Sequence, residues 1–220
     1  MDGLLVDSEP IQFEASQLLF RQYGHRFTVK HLKKFLGVRL VEELATLKRE
    51  WKLQPDVKEF MAKRRNIFLR LIRKKLKLAK GAGELLKFLR QIGLPVGLGT
   101  SAEHWYVDEV MKKFNIRHHF DVIVSSEQVQ KGKPDPEVYL TVAKHLRVTP
   151  ANCLVLEDAV NGIAAAKNAG MMCFAVPNPY TPKRDYEKAD QSFQSLREVT
   201  SALKKLRSSS FGVEGFGKLR

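Results

Sequence analysis

Short runs of apolar residues recur along the second part of the chain. They cover residues 94–100, 120–126, 152–158 and 172–178. Each run is strand-sized and continuously apolar, which is typical of strands buried on both faces of a parallel sheet. The segments between the runs have the pattern of amphipathic helices: 106–115, 136–146 and 160–169. The pattern predicts repeated strand–helix units, and therefore an α/β fold with a doubly wound parallel sheet.

The chain before these runs has a helical pattern, from about residue 10 to residue 80. Ser8 is placed to cap a first helix and Gly24 to end it. A second helix can begin at Thr28, and a long basic helix can begin near Pro55. The segment therefore predicts a bundle of helices without strands.

The two patterns divide the chain into two units. We expect an α/β core formed by residues 1–9 and 80–220, with residues 10–79 inserted as a helical unit. The glycine-rich segment 81–83 lies where the chain returns to the core, a position suited to a hinge. Residues 205–220 have no period and are expected to form a flexible tail.

The composition is that of an ordinary globular protein. The 220 residues are 44% hydrophobic and 28% charged, and no apolar stretch approaches the roughly 20 residues of a membrane-spanning helix. The first ten residues lack the basic region and apolar run of a secretory signal, so a cytoplasmic protein is expected. Cys153 and Cys173 lie inside apolar runs, which favours free buried thiols over a disulfide.

Positive charge is concentrated in the helical unit. The formal net charge is +14, and residues 12–80 hold 19 Lys and Arg against 6 Asp and Glu. The favoured interpretation of the basic segment 63–80 is a solvated helix face. Attraction of an anionic substrate is one alternative, and contact with a nucleic-acid backbone is another. The segment lacks the interleaved aromatic and basic residues of RNA-binding motifs, which disfavours the nucleic-acid alternative.

Polar and charged side chains follow the apolar runs. Thr100 ends the first run and Ser101 follows it, Lys133 comes after the second, and Glu157 and Asp158 end the third. Ligands in open α/β sheets bind beyond the carboxyl ends of the strands, so these side chains are expected to share one site. Hydroxyl, ammonium and carboxylate groups suit a phosphoryl group with a divalent cation. Magnesium is the natural cation because it prefers carboxylate, water and phosphate oxygens.

The N-terminal segment adds two acids to this set, Asp2 and Asp7. Two interpretations of Asp7 stand: an acid near the site, or a helix cap in the Asp-Ser pair before Pro10. The histidines are scattered, show no ligand spacing with cysteine, and are assigned no role.

Four segments carry a specific resemblance to a known family. In chain order they are MDGLLVDSE, GTS, KGKPDPEVY and VLEDAVNGIAAAKNAGM. They resemble the four ordered motifs of the haloacid dehalogenase (HAD)-like hydrolase superfamily, and best the branch with β-phosphoglucomutase and small sugar-phosphate phosphatases. One such motif alone would be weak, whereas four in order with a helical insert after the first are specific. The resemblance implies a HAD-like Rossmannoid core and a helical cap domain.

The resemblance also implies roles for individual residues. Asp2 resembles the general acid/base that protonates the departing alkoxide and then activates water. Thr100 resembles the hydroxyl that holds the transferring phosphoryl group, with Ser101 nearby. Lys133 resembles the cation that stabilises the phosphoryl charge.

A metal site is implied in the same way. Glu157 and Asp158 resemble the acidic pair that binds Mg²⁺ directly or through water, and the backbone carbonyl of Asp2 resembles a further ligand. The expected cofactor is therefore Mg²⁺.

The family's nucleophile is an aspartate two residues before the acid/base, at a position that here precedes Met1. The family's first, central strand would also lie upstream. Asp2 cannot replace the nucleophile without leaving its own role. Two explanations stay open: the sequence begins at an internal Met, which the otherwise intact motifs favour, or the protein is an inactive relative.

The expected function is that of a monomeric, Mg²⁺-dependent phosphatase acting on a small sugar- or nucleoside-phosphate. Gln12 and Arg39, in the cap, are candidates for substrate selection, and Arg39 could meet a distal anionic group. The mutase branch has a histidine at the position of Gln12, so glutamine favours hydrolysis. The alternatives are a phosphomutase of the β-phosphoglucomutase type and an inactive relative that acts as a binding protein.

Overall fold

The computed structural model describes residues 1–35, 40–177 and 186–208. The helices in chain order are α1 (Glu9–Arg21), α2 (Val29–Lys34), α3 (Leu40–Glu50), α4 (Val57–Lys75), α5 (Ala82–Gln91), α6 (His104–Phe114), α7 (Glu137–Leu146), α8 (Val160–Asn168) and α9 (Leu196–Ser208). The strands are β1 (Gly97–Gly99), β2 (Val122–Val124), β3 (Leu154–Glu157), β4 (Met172–Ala175) and β5 (Gln191–Ser192). The chain forms two compact units: Ser8–Lys77, and Met1–Asp7 together with Leu78 onward.

The helical unit, Ser8–Lys77, is held by packing of α1 and α3 against α4. The ring of Phe20 stacks on Phe27 and meets the Trp51 ring edge-on, with centroids 4.9 Å apart. Such pairs add to the stability gained by burying the rings. The most deeply buried side chains of this unit include Leu19, Phe20, Phe27, Leu44, Leu47, Phe60 and Ile72.

The starts of these helices follow signals in the sequence. A helix was expected to begin at Thr28, and Thr28 caps α2 in a capping box with His31. At the start of α4, Asp56 Oδ1 accepts a hydrogen bond of 2.7 Å from the backbone N–H of Glu59. Ser8 occupies the N-cap position of α1 but makes no capping bond through its side chain. Packing against α4, more than the cap, therefore fixes the start of α1.

The strands of the core unit pair in parallel, which confirms the predicted α/β class. β1 pairs with β2 from Gly97↔Val122 onward, and β4 lies between β3 and β5. Within the part of the chain that the structure describes, however, the strands form two sheets rather than one continuous sheet. Among the described residues, β1 and β3 do not pair with each other.

Helices pack on four of the strands: α7 contacts β1 and β2, and α8 contacts β3 and β4. A Cβ added at Gly97 would lie 2.3 Å from Val142 Cγ1, so α7 can approach β1 only because that residue has no side chain. Cys173 is buried in this core, and Cys153 is half-buried. Both thiols are free, in keeping with the sequence-based interpretation.

The ends of the core unit depart from the sequence-based prediction in two ways. β5 was not predicted, because Gln191 and Ser192 are polar and exposed. Residues 205–208, expected to begin a flexible tail, instead complete α9. The remainder of that segment, 209–220, lies outside the described residues. Within the described ranges, no helix combines the length and the apolar character needed to cross a membrane.

Candidate functional site

A buried ion pair joins two of the predicted site residues. Lys133 lies in the loop before α7, and its Nζ donates to Glu157 Oε1 at the end of β3. Only 13% of the Lys133 side chain and 8% of the Glu157 side chain are exposed. The same Nζ donates to the Tyr139 hydroxyl at 2.8 Å and, over 3.4 Å, to the backbone oxygen of Gly99. The ammonium group therefore links the carboxyl ends of β1 and β3.

Both carboxylate oxygens of Glu157 are occupied by protein donors. Oε1 accepts from Lys133 and from the Tyr139 hydroxyl. Oε2 accepts from the backbone N–H groups of Asp158, at 3.0 Å, and Ala159, at 3.2 Å. Burial alone would raise the pKa of Glu157, but the Lys133 and N-terminal ammonium groups outweigh it and hold that pKa below its usual value. Glu157 is therefore an ionised carboxylate with a full set of partners.

The end of β1 supplies a buried hydroxyl. Thr100 is 4% exposed, and its backbone N–H donates to the Val124 oxygen of β2 at 3.0 Å. Its Oγ1 accepts a bond of 3.1 Å from the Ala102 N–H, which fixes the side-chain direction. Thr100 follows Gly99, whose oxygen contacts Lys133. Ser101, in contrast, is exposed.

Asp2 lies in a tight N-terminal turn. The Leu5 N–H donates to the Met1 oxygen at 2.8 Å, and Asp2 forms a parallel bridge with Val6. Asp2 Oδ1 accepts a hydrogen bond of 2.6 Å from the Tyr106 hydroxyl of α6. The carboxylate is half-buried, and Tyr106 fixes its orientation.

The two remaining predicted acids differ in burial. Asp158 is 9% exposed and lies just before α8, and its backbone oxygen accepts from the Tyr186 hydroxyl at 2.8 Å. Asp7 is exposed. The N-cap of α1 is Ser8 rather than Asp7, so the prediction of Asp7 as that cap was wrong.

The structure brings much of the predicted set to one edge of the core unit. Lys133 bonds Glu157 directly, and Asp158 is the next residue in the chain. Lys133 also reaches the end of β1, one residue before Thr100. Met1, the neighbour of Asp2, lines the same cavity as Gly99 and Glu157.

The described ranges contain no cluster of three His, Cys, Asp or Glu side chains placed to hold a metal. Glu157 could bind a cation only by giving up a present partner. Magnesium, however, takes most of its ligands from water and phosphate and needs one or two protein carboxylates. The acids present therefore fit Mg²⁺ held mainly by water and substrate, and do not fit an all-protein cage.

The helical unit contains a second buried cation. Arg64 of α4 donates to Gln12 Oε1 at 2.8 Å, to the Gln12 backbone oxygen at 3.1 Å and to Ser16 Oγ at 3.2 Å. Burial lowers the pKa of Arg64 to about 10, against the opposing charge of Glu43. Gln12 is thus bonded within its own unit. Arg39 lies outside the described residues.

Gly162 of α8 leaves space for the Glu157 carboxylate. A Cβ at position 162 would lie 2.1 Å from Glu157 Cδ, and the four donors to Glu157 prevent it from moving aside. We expect Gly162→Ala to lower the free energy of unfolding by about 1–3 kcal/mol through overpacking, as measured by urea unfolding. Gly132→Ala is the matched control, because no atom lies within 4 Å of the added Cβ. Equal stability of the two variants would contradict this explanation.

Sequence reasoning missed three residues that support the site. Burial and the charge of Glu157 raise the pKa of Tyr139 well above its usual value, so the phenol remains a neutral donor. Its position in the KGKPDPEVY segment was the available signal, since a hydroxyl on an apolar helix face needs a partner. Gly162, inside the predicted helix, was a weaker signal. No sequence pattern pointed to Tyr106.

The arrangement defines a class of protein. A parallel α/β core with a buried lysine, a hydroxyl and acids at the carboxyl ends of its strands is typical of enzymes that bind an anionic ligand at that edge. The chain belongs to the haloacid dehalogenase-like hydrolase family, whose model matches residues 1–176. The resemblance found in the sequence is thereby confirmed.

Relatives named as phosphatases are similar over most of the chain. Phosphorylated carbohydrates phosphatase of Thermotoga maritima is 33% identical over 171 residues, which cover 78% of this chain and 79% of the relative. Hexitol phosphatase B of Escherichia coli is 32% identical over 205 residues, which cover 91% of this chain and 92% of the relative. These relatives show by family resemblance that the chain is a phosphoric monoester hydrolase of the sugar-phosphate phosphatase and β-phosphoglucomutase branch.

Solved structures are similar in fold. CbbY from Rhodobacter sphaeroides in complex with phosphate has a TM-score of 0.80 and 25% identity, with 90% of this chain and 93% of that chain covered. β-Phosphoglucomutase from Clostridium difficile has a TM-score of 0.75 and 22% identity, with 93% of this chain and 92% of that chain covered. The second likeness concerns the fold alone.

Proposed function

We propose that this protein hydrolyses a small phosphate monoester in a Mg²⁺-dependent reaction that passes through an aspartyl-phosphate. The observation that carries the proposal is the buried Lys133 ammonium, which contacts the Gly99 oxygen at the end of β1, one residue before Thr100. A fixed cation at that edge can stabilise the charge of a phosphoryl group in the transition state. Thr100 and Ser101 would orient the same group.

Lys133 is poised to accept an anionic ligand. Its shorter contacts are those to Glu157 and Tyr139, whereas the contact to Gly99 is longest, at 3.4 Å. The N–H directed at Gly99 is therefore the donor most easily transferred to a phosphoryl oxygen. The other two bonds would keep the ammonium group in place during the reaction.

Asp2 would act first as the general acid and then as the general base. In the first step an aspartate carboxylate immediately before Met1 would attack phosphorus, the bond to the alcohol oxygen would break, and Asp2 would give that oxygen a proton. In the second step the Asp2 carboxylate would take a proton from water, which attacks the same phosphorus and releases the aspartate and inorganic phosphate. The Tyr106 hydroxyl would hold Asp2 in position for both steps.

Magnesium, when bound, would offset repulsion between the phosphoryl oxygens and the nearby acids. Asp158 and the backbone oxygen of Asp2 are the protein groups we propose to hold it. Glu157 would act by fixing Lys133, and would bind the metal only through water. This assignment modifies the role that the resemblance implies for Glu157.

The substrate class that we propose is a phosphorylated sugar or polyol. The relatives named for phosphorylated carbohydrates and hexitols support it. Arg39 and Gln12 remain the proposed selecting residues of the cap. Because Gln12 is an amide held by Arg64, it cannot shuttle protons as a histidine could, which favours hydrolysis over the mutase reaction.

The test is release of inorganic phosphate from a panel of hexose, hexitol and nucleoside phosphates, with Mg²⁺ and with EDTA. The chain would be assayed as printed and also with an apolar strand ending in Asp directly before Met1. We expect Mg²⁺-dependent release from the extended chain, and none from a matched extension ending in Asn.

Two other outcomes would overturn the proposal. Interconversion of hexose phosphates that requires a bisphosphate primer would identify a phosphomutase. Absence of both activities in a folded extended chain, together with salt-sensitive binding of polyanions by the basic helical unit, would identify a binding protein.

A further inference from the structure

We propose that the helical unit binds an acidic, amphipathic helix of a protein partner in a groove along α1. The groove is a cavity of about 780 Å³, and the described residues that line it all belong to the helical unit. One face of α1 forms the floor of the groove, through Pro10, Phe13, Glu14, Gln17, Leu18 and Arg21. This inference does not depend on the phosphatase activity.

The shape of the groove follows from the spacing of the floor residues. They recur at intervals of three and four positions, so they form one stripe along the helix. At 1.5 Å per residue, the stripe from Pro10 to Arg21 is about 16 Å long, which is also the length of about three turns of a partner helix. Helices pack on one another through such rows of side chains. The floor therefore suits a helix laid along it.

The floor presents apolar side chains that a partner could cover. Leu18 is 37% exposed, which is unusual for a large hydrophobic side chain. Phe13 is half-buried, and its ring lies 5.8 Å from the ring of the buried Phe27. Amphipathic helices bind by placing their apolar face in a groove of this kind. The partner should therefore carry apolar residues at helical spacing.

The walls of the groove are held in place by bonds to α1. Gln17 Nε2 donates to the backbone oxygen of Phe27 at 3.3 Å, which ties the loop after α1 to the helix. At the other end, Lys75 of α4 donates to both carboxylate oxygens of Glu14, at 2.6 and 2.8 Å. The groove is thus formed before a partner arrives, and binding does not have to order it.

The charges at the groove determine the sign of the partner. Arg21 and Arg26 line it and are exposed, and neither has a carboxylate partner among the residues that the structure describes. The acid that lines the groove, Glu14, is occupied by Lys75. Guanidinium groups bind carboxylates in a bidentate manner, so an acidic partner fits. A second copy of the chain would instead bring like charges together, which disfavours self-association.

The test uses the chain as printed and an acidic amphipathic peptide, acetyl-Asp-Glu-Leu-Ala-Glu-Leu-Phe-Glu-Glu-Leu-Ala-Glu-amide, with binding measured by calorimetry at low and at high salt. The control peptide has Asn and Gln in place of Asp and Glu, which keeps the apolar stripe and removes the charge. We expect the control to bind about tenfold more weakly at low salt, and the difference to shrink at high salt, because exposed charges are screened.

A charge-reversal variant locates the binding on the chain. Arg21→Glu combined with Arg26→Glu should weaken binding of the acidic peptide by about tenfold or more. The matched control is Arg49→Glu combined with Lys58→Glu, which changes the net charge equally at two exposed residues that do not line the groove. We expect this control to retain most of the affinity. Equal losses in the two double variants would show that only net charge matters and would overturn the proposal.

Leu18→Lys tests the apolar floor separately. It adds positive charge, so a loss of about tenfold in affinity would show that the apolar contact is needed. Leu140→Lys on α7 is the matched control, since Leu140 is 39% exposed and does not line the groove. Far-UV circular dichroism would establish that all variants fold.

Three further results would overturn the proposal. They are unchanged affinity in Leu18→Lys, tighter binding of duplex DNA that is lost in the Arg21 and Arg26 variant, and self-association of the chain that Leu18→Lys abolishes in sedimentation.

Discussion

Lys133→Met is expected to lower the free energy of unfolding by about 3–5 kcal/mol at neutral pH, because it leaves Glu157 as a buried carboxylate without its cation. Both side chains are largely buried, with 13% and 8% exposed, so solvent cannot replace the lost partner. Urea unfolding would measure the change. Lys131→Met is the matched control in the same loop, because the Lys131 side chain is 74% exposed.

The pH dependence of this loss distinguishes an electrostatic cause from poor packing. In the parent chain the pKa of Glu157 is lowered, so its contribution is present above the pKa of an unfolded glutamate and is lost as pH falls through the folded pKa. Without Lys133, burial would raise the pKa of Glu157. Protonation of Glu157 in the variant would then remove the uncompensated buried charge. The difference in unfolding free energy between the parent chain and Lys133→Met should therefore shrink in acid. A difference that stays constant with pH would contradict this explanation.

Glu157→Gln in the Lys133→Met background provides a further check. It removes the uncompensated charge and keeps the side-chain volume. We expect part of the lost stability to return, because removing both charges of a buried pair costs less than removing one. The double variant should still be inactive in the phosphatase assay.

Arg64→Met is expected to lower the free energy of unfolding by about 3 kcal/mol, because hydrogen bonds from a charged group contribute roughly 1.5–3 kcal/mol each. Methionine retains much of the side-chain length but none of the donors. It would leave the oxygens of Gln12 and Ser16 without their present partner. Arg64 is 6% exposed, so water has limited access to those oxygens.

The control for this variant is Arg70→Met on the same helix, since Arg70 is exposed. Differential scanning calorimetry of both variants would separate the loss of a buried network from the loss of net charge. Similar destabilisation by both substitutions would show that charge alone matters. A separate increase in KM for sugar phosphates in Arg64→Met would support the proposed role of Gln12.

The α/β class was predictable because buried parallel strands are continuously apolar and their turns are regularly spaced. The apolar pattern alone predicted one doubly wound sheet and not two, since strand pairing is decided by neighbours in space. β5 illustrates the limit: Gln191 and Ser192 lack a strand pattern, and they pair because β4 presents a free edge to them.

The polar ends of the strands led to Thr100, Lys133 and the acids 157 and 158, because one physical rule, ligand binding at the carboxyl edge, selects them. The hydrogen-bond partners of these residues depend on tertiary contacts, which the spacing of residues in the sequence does not reveal. Arg64 shows the same limit. The basic segment 63–80 was interpreted as a solvated face, yet the backbone turns Arg64 inward towards α1, so the prediction was wrong for that residue.

The two free cysteines have a practical consequence for chemical labelling. Burial raises the pKa of the Cys173 thiol to about 12, and burial also raises the pKa of Cys153. Maleimides and disulfide reagents attack the thiolate, which is scarce at neutral pH for both residues. A cysteine introduced on an exposed surface should therefore carry a spectroscopic probe selectively, without prior removal of the native pair.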